Sequence, residues 1–376
     1  MIENFEIWLT HCVTKLQTID QAIAEEMSQP HEQRRSQLLQ FLYHEKGAYS
    51  SALRELGLAT VDQGGSNGQD KSQESGLSTR LETKEREGNN SVNNPTHHII
   101  TCGGIGDVLL TTPTFRALKK QQPNCKIYVY CSVKSHQEAL KHNPFIDRLT
   151  FLTKRAKFFY SLLTRYNLIT MHIAPYWKVM PSFFYNKNAS EIIGEMLGVK
   201  VEYSPPDCFI TEAEETEARN ITSKYPNPIA IHTSAKSSSN KNWPNEYWEK
   251  LVQNNSEYSF LQLGRANEEL VPGAVDLRGQ TSLRQSFGII KTAMAFIGVD
   301  SVLAHAATAF RTPAVVLFGP SKSSVWGHPM NHNLYNAPRC SPCIDILGRE
   351  PCPYGKECMF NLTVSHVEQA LRRIIV

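Results

Sequence analysis

The spacing of apolar residues changes character along the chain and divides it into three kinds of segment. Residues 2–27 set Phe5, Trp8, Leu9, Cys12, Val13, Leu16, Ile19 and Ile23 at helical spacing, which predicts an amphipathic helix. Residues 33–46 carry Leu38, Leu39, Phe41 and Leu42 and predict a second helix, and 47–57 a third. Together they predict a small helical module over 1–60. From Asp62 to Asn94 large apolar residues almost vanish while Gly, Ser, Asn and charge accumulate, so a flexible linker is expected over 61–95.

From His97 the pattern becomes alternating strand and helix. HHIITC, KIYVYC and YNLITMHIA read as strands between helical segments, with Pro113 interrupting the first helix near its start. A second series runs PIAIH, EYWEKLVQNN, YSFLQLG, LRQSFGIIKTA, MAFIGV, LAHAATAF and AVVLF, and SHVEQALRRIIV closes the chain as a helix. Such alternation implies parallel sheets covered by helices. The expected class is α/β: two Rossmann-like domains, over 96–209 and 210–376, facing a cleft at the carboxyl ends of their strands, with the helical module as an N-terminal extension.

Composition narrows the classes without choosing among them. Hydrophobic residues are 41% of the 376 and charged residues 20%, ordinary for a globular protein. A net charge of +3, from 39 basic and 36 acidic residues, argues against bulk nucleic-acid binding. No apolar run reaches membrane-spanning length, and MIENFEIWLTHCV is acidic where a secretory leader would be basic. The expected location is cytoplasmic, with at most peripheral membrane contact.

Three loops at strand ends carry candidate chemistry. In GGIGD, Gly103, Gly104 and Gly106 permit a sharp turn close to a ligand, and Asp107 stands at the helix start, as a cap or as a functional carboxylate. The motif lacks both the GxGxxG fingerprint of NAD sites and the GK[ST] ending of a phosphate loop. In HTSAKSSSNKNWP, Lys236 and Lys241 either rim a solvated loop or reach a phosphate. In GVDSVLAHAA, Asp300 and Ser301 end a strand, and the helix start beyond them either is simply capped or offers amides to a diphosphate. His305 lies one turn further in, facing cleft or core.

Nine cysteines are present, and four fall in one stretch: Cys340, Cys343, Cys352 and Cys358. The spacing C-x2-C-x8-C-x5-C favours a bound metal over disulfides or a CSPC redox pair, and leaves zinc and iron open. Four thiolates would close a tetrahedral site, so the expected role is structural, with no catalytic metal. Cys12, Cys102, Cys125, Cys131 and Cys208 read as small buried hydrophobes.

GGIGDVLLTTPTFRALKK, HTSAKSSSNKNWPNEYWEKL and DSVLAHAATAFRTPAVVLFGPS together resemble the signature regions of the family 9, heptosyltransferase-type glycosyltransferases. NPFID, LGRANEE and RGQTSLRQ stand in the family's order between them. The resemblance runs from His97 to the C-terminus and implies a GT-B fold and inverting transfer of a sugar, typically heptose from ADP-heptose. It implies Asp107 as the base on the acceptor hydroxyl and Lys241 as the countercharge to the departing diphosphate. Domain 96–209 would then take the acceptor side and 210–376 the nucleotide sugar.

The resemblance assigns donor binding to Gly103, Gly104, Gly106, Thr233, Lys241, Asp300, Ser301, Val302, Leu303, Ala304 and His305. Val302 departs from the small glycine usual after the D-[ST] pair. The N-terminal extension and the four cysteines ending in Cys358-Met359 resemble an iron-containing subgroup that heptosylates autotransporter proteins and assembles into rings. That subgroup implies structural iron, with zinc the alternative, a homo-oligomer and a protein acceptor. The alternatives are a lipopolysaccharide or other glycolipid acceptor, and a non-catalytic nucleotide-sugar binding module.

Overall fold

A computed structural model of the chain describes residue 21 and residues 95–376, apart from 102, 132, 153–170, 175–186, 337, 339, 344–351 and 376. The helical module expected over 1–60 and the linker over 61–95 fall almost wholly outside the described residues, as do Cys12 and Cys102. Two compact units, Met1–Asn93 and Asn94–Val376, divide the chain, and every described strand belongs to the second.

That unit holds two sheets, each parallel throughout. The first consists of β1 (Thr96–Thr101), β2 (Lys126–Cys131), β3 (Arg148–Phe151) and β4 (Met171–Ala174) in the order β3-β2-β1-β4. Thr101 pairs with Cys131 and Ala174, so these strands finish at one level. The connecting helices are α1 (Ile105–Leu110), α2 (Thr112–Gln121), α3 (Lys134–Leu140) and α4 (Ala189–Met196). The break between α1 and α2 falls at Thr111, two residues before Pro113, whose missing N–H is harmless in a helix's first turn.

The second sheet has six strands in the order β10-β9-β8-β5-β6-β7. They are β5 (Pro228–His232), β6 (Ser259–Leu263), β7 (Val275–Asp276), β8 (Ala295–Val299), β9 (Ala314–Phe318) and β10 (His332–Tyr335). β8 and β9 are buried at every position, which explains their unbroken apolar sequences AFIGV and AVVLF. The helices here are α5 (Glu212–Thr222), α6 (Asn245–Asn254), α7 (Leu283–Thr292), α8 (Val302–Phe310), α9 (Ser323–Trp326), α10 (Glu357–Phe360) and α11 (Val364–Ile374). α11 closes the chain, as the pattern SHVEQALRRIIV predicts.

This is the two-lobed α/β architecture of the GT-B fold. One buried cluster joins its two sheets: Leu109 and Leu110 of α1 and Ala139 of α3 pack with Phe287 of α7 and Leu303 and Ala304 of α8. Each large apolar side chain buried there contributes roughly 1.5–3 kcal/mol. Because α1 and α8 both start at strand carboxyl ends, packing them together brings the GGIGD and GVDS loops to one place. Cys125, Cys131 and Cys208 are buried among apolar neighbours, as their scattered spacing suggests.

Candidate active site

The glycine turn after β1 aims Asp107. Gly103 has φ +82°, a conformation open to glycine and strained for other residues. The buried His136 of α3 braces this turn, bonding the Thr101 hydroxyl through Nδ1 at 2.9 Å and the Gly103 carbonyl through Nε2 at 3.2 Å. The Gly104 N–H then donates to Asp107 Oδ2 at 2.6 Å, so this carboxylate does cap α1. It keeps part of its surface open and has a second property. Burial pushes its pKa up to about 6, against the Gly104 hydrogen bond and the Lys241 charge, which pull it down, while Asp300 adds to the rise. Asp107 of the first sheet thus shares an electrostatic neighbourhood with Lys241 and Asp300 of the second.

Across from it, Lys241 Nζ donates to Asp300 Oδ2 at 2.7 Å, and the Ser321 hydroxyl donates to the same oxygen at 2.7 Å. Burial opposes charge on Asp300, but Lys241, His305 and these two bonds outweigh it and hold the carboxyl below its ordinary range. Lys241 ends a short 3-10 turn, Ser239–Lys241, that Ser238 caps by accepting from the Asn240 N–H. The next residues anchor that turn. Asn242 Oδ1 accepts from the Ala235 N–H at 3.2 Å, and the Trp243 indole donates to the Leu362 carbonyl at 2.6 Å. Lys236, the other lysine of this loop, is exposed.

Ser301 is the N-cap residue of α8, but its hydroxyl caps nothing; it bonds His232 Nδ1 at 2.9 Å. The buried His232 is pushed down to about 4, chiefly by burial. The amides at the start of α8 differ in their bonding. The Ala304 and His305 N–H groups already bond the Ser301 carbonyl, whereas Val302 and Leu303 have no backbone acceptor among the described residues. Thr233 is buried and accepts from Gln262 Nε2 at 3.2 Å, so it supports β6 rather than lining an open surface.

At Gly106 the start of α1 lies close against α8. A Cβ built on it would lie 3.0 Å from Cδ2 of His305 and 3.7 Å from Cα of Val302. The His305 ring therefore faces the GGIGD turn although only 4% of the residue is exposed. Ser321, His136 and Trp243 were not predicted as site residues. Ser321 is the last residue of the FGPS stretch and His136 lies inside an ordinary helix, and only the assembled fold gives either its partner.

The described residues do not form the expected metal site. Among the described residues no group of three or more His, Cys, Asp or Glu side chains is arranged to hold a metal ion. All four cysteines are described, and none is in a disulfide. Cys358 is turned into the core, where a Cβ on Gly319 would meet its Sγ at 2.8 Å, and Cys340, Cys343 and Cys352 are half-buried. Burial, followed by the charges of Cys340 and Cys352, pushes the Cys358 thiol up to about 11. The four-cysteine spacing thus fits iron or zinc in sequence and neither in the fold.

Comparison with known proteins bears on the family and the fold. The model of glycosyltransferase family 9 (heptosyltransferase) matches residues 185–352. Lipopolysaccharide heptosyltransferase 3 of Escherichia coli is 24% identical over 295 residues, covering 61% of this chain and 84% of that protein. Solved structures share the fold at lower identity. A family 9 glycosyl transferase from Veillonella parvula has a TM-score of 0.57 at 18% identity, with 75% of this chain and 97% of that one covered. The E. coli ADP-heptose lipopolysaccharide heptosyltransferase II reaches 0.52 at 17%, with 74% and 98% covered. The iron-containing dodecameric glycosyltransferase TibC of enterotoxigenic E. coli reaches 0.53 at 17%, with 75% and 76% covered. The chain is homologous to the family 9 glycosyltransferases and is an enzyme of the transferase class, and it has their fold. The likeness to TibC is one of fold, and its iron does not carry over.

Proposed function

We propose that this enzyme transfers heptose from ADP-heptose to a hydroxyl of a lipopolysaccharide core or related glycan, with inversion at the anomeric carbon. The observation that carries the reading is Asp107, raised to about 6 and within electrostatic reach of the Lys241–Asp300 pair on the facing sheet. A carboxylate with a pKa close to neutrality is suited to accept a proton from an alcohol as the alcohol attacks.

In the displacement, the acceptor oxygen forms a bond to the anomeric carbon while the bond from that carbon to the diphosphate breaks. Asp107 takes the acceptor's proton, and the electron pair leaves on the diphosphate. Lys241, anchored through Asn242 and Trp243, would meet that growing negative charge. Asp300 and Ser321 would hold the ammonium in place until then. The first sheet, within 96–209, would take the acceptor, and the second, within 210–376, the nucleotide sugar, with the α1–α8 contact aligning the two.

A glycan acceptor replaces the protein acceptor first expected. The curated relative acts on lipopolysaccharide by name, and the iron-finger argument for a protein substrate fails with the metal site. The test offers the full chain ADP-heptose with truncated lipopolysaccharide cores in one arm and autotransporter passenger protein in the other, read by mass spectrometry. Heptose on the glycan supports the reading. Heptose on the protein alone, or on neither, would overturn it.

A further inference from the structure

The sequence leaves His328 unremarked, yet the fold builds a line of buried rings through it. His305 Nδ1 lies 2.8 Å from His328 Nε2, and His328 Nδ1 lies 3.2 Å from the Tyr203 hydroxyl. His328 is 1% exposed, and its ring stands at 87° to that of His305, with centroids 5.1 Å apart. Its backbone is pinned from two sides. The Asn188 side chain donates to the Gly327 carbonyl at 2.7 Å, and Asn333 donates to the His328 carbonyl at 2.9 Å.

A chain of neutral rings joined in this way has two proton arrangements, and the group at its end selects one. Burial keeps both imidazoles neutral at ordinary pH: His305 is lowered to about 4, and His328 lies well below its usual value. Burial instead makes the Tyr203 phenol a firmer proton holder, raised to about 12. Tyr203 forms no other hydrogen bond among the described residues, and its O–H is assigned as the donor to His328 Nδ1. His328 must then carry its proton on Nε2 and donate to His305 Nδ1, which leaves the His305 proton on Nε2. That nitrogen lies on the Gly106 side, 3.4 Å from where a Cβ of Gly106 would stand.

We infer that His328, oriented by Tyr203, is a positioning residue that fixes His305 in the tautomer presenting an Nε2–H donor to an anionic oxygen at the cleft. The inference rests on the transferase reading for its consequence, since the anion would be a phosphate oxygen of the nucleotide sugar. A preset donor needs no reorganisation as charge develops, whereas the opposite tautomer would point a lone pair at the same oxygen and repel it.

The test is 15N NMR of the full chain with labelled histidine, combined with donor kinetics and ADP binding. Wild type should show His305 protonated on Nε2 and not on Nδ1. Tyr203→Phe should bring a population of the other tautomer and weaken ADP about 5–10-fold. His328→Leu should lower kcat about 10–100-fold, and His328→Gln, whose amide can still donate to Nδ1, should recover most of that. A wild-type His305 protonated on Nδ1, an unchanged tautomer in Tyr203→Phe, or equal loss in His328→Gln and His328→Leu would overturn the inference. If the chain transfers no heptose at all, the transferase reading fails, while the NMR and ADP arms still decide the tautomer.

Discussion

Lys241 Nζ lies 2.7 Å from Asp300 Oδ2, with 13% and 6% of the two side chains exposed. Desolvating such a pair is costly, and the Ser321 hydroxyl offsets part of that cost by bonding the same carboxylate oxygen. The lysine is therefore paired in the ground state, and a diphosphate must compete with Asp300 for it.

Lys241→Met should consequently act twice. Transfer should fall by about 10²–10³, as expected when a donor to developing charge is removed. Stability at neutral pH should also fall by about 3–5 kcal/mol, because Asp300 stays buried without its cation. Steady-state kinetics and urea unfolding measure the two effects separately. A fully active Lys241→Met enzyme would remove Lys241 from the mechanism.

The Asp107 carboxyl makes a signed pH prediction. As a base it must be ionised, so kcat/KM should rise as pH increases through about 6 and level off above. For stability the sign is opposite. A carboxyl whose folded pKa lies above its unfolded value favours folding least once pH exceeds both. Asp107→Asn should therefore stabilise the protein at pH 7–8 by on the order of 1–2 kcal/mol while removing the pH-dependent rate. A pH profile flat between 5 and 8 would argue against Asp107 as the base.

Gly106→Ala tests the approach of the two sheets. Alanine ordinarily gains roughly 0.5–1 kcal/mol over glycine inside a helix. Here the added methyl would press on the His305 ring at 3.0 Å. The expected result is a loss of about tenfold in kcat/KM with little or no gain in melting temperature. A clear thermal gain with full activity would mean the ring yields freely.

Much of this site is readable in the sequence because its parts end strands. GGIGD, the lysine loop and GVDS all follow apolar runs, and in parallel sheets such positions gather at one edge. The partners of those residues are not readable. Ser321, His136, Tyr203 and His328 acquire roles only through contacts made 21 to 125 residues away. The strand HNLY of β10 was also missed, because four partly buried residues give too short a pattern. The cysteines mislead for a related reason. Spacing reports how many ligands a loop contains, whereas binding depends on where their side chains turn, and Cys358 turns into the core behind Gly319.

Arg284 ties the two sheets together away from the site. Its guanidinium pairs with Glu214 at 2.5 Å and donates to the Phe209 carbonyl at 2.8 Å and to the Glu138 carbonyl of α3 at 3.0 Å. The hydrogen bond from Arg284 is the main cause that lowers Glu214 to about 2. Because that folded pKa is depressed, the stability it supplies is complete above about 4.5 and is lost as pH falls toward 2. Arg284→Met should cost about 3 kcal/mol at pH 7 and flatten the acid limb of the stability curve, both measurable by urea titrations across pH. An unchanged acid limb would show that the pair is not what holds Glu214 ionised.

The central claim is heptose transfer to a glycan with Asp107 as the base. It is tested most directly by incubating a truncated lipopolysaccharide core with ADP-heptose and the full chain, and weighing the products. The wild-type enzyme should add heptose to the glycan and release an equal amount of ADP, and Asp107→Asn should add none while still binding ADP. An unmodified glycan with the wild-type enzyme, or equal transfer by both enzymes, would contradict the account.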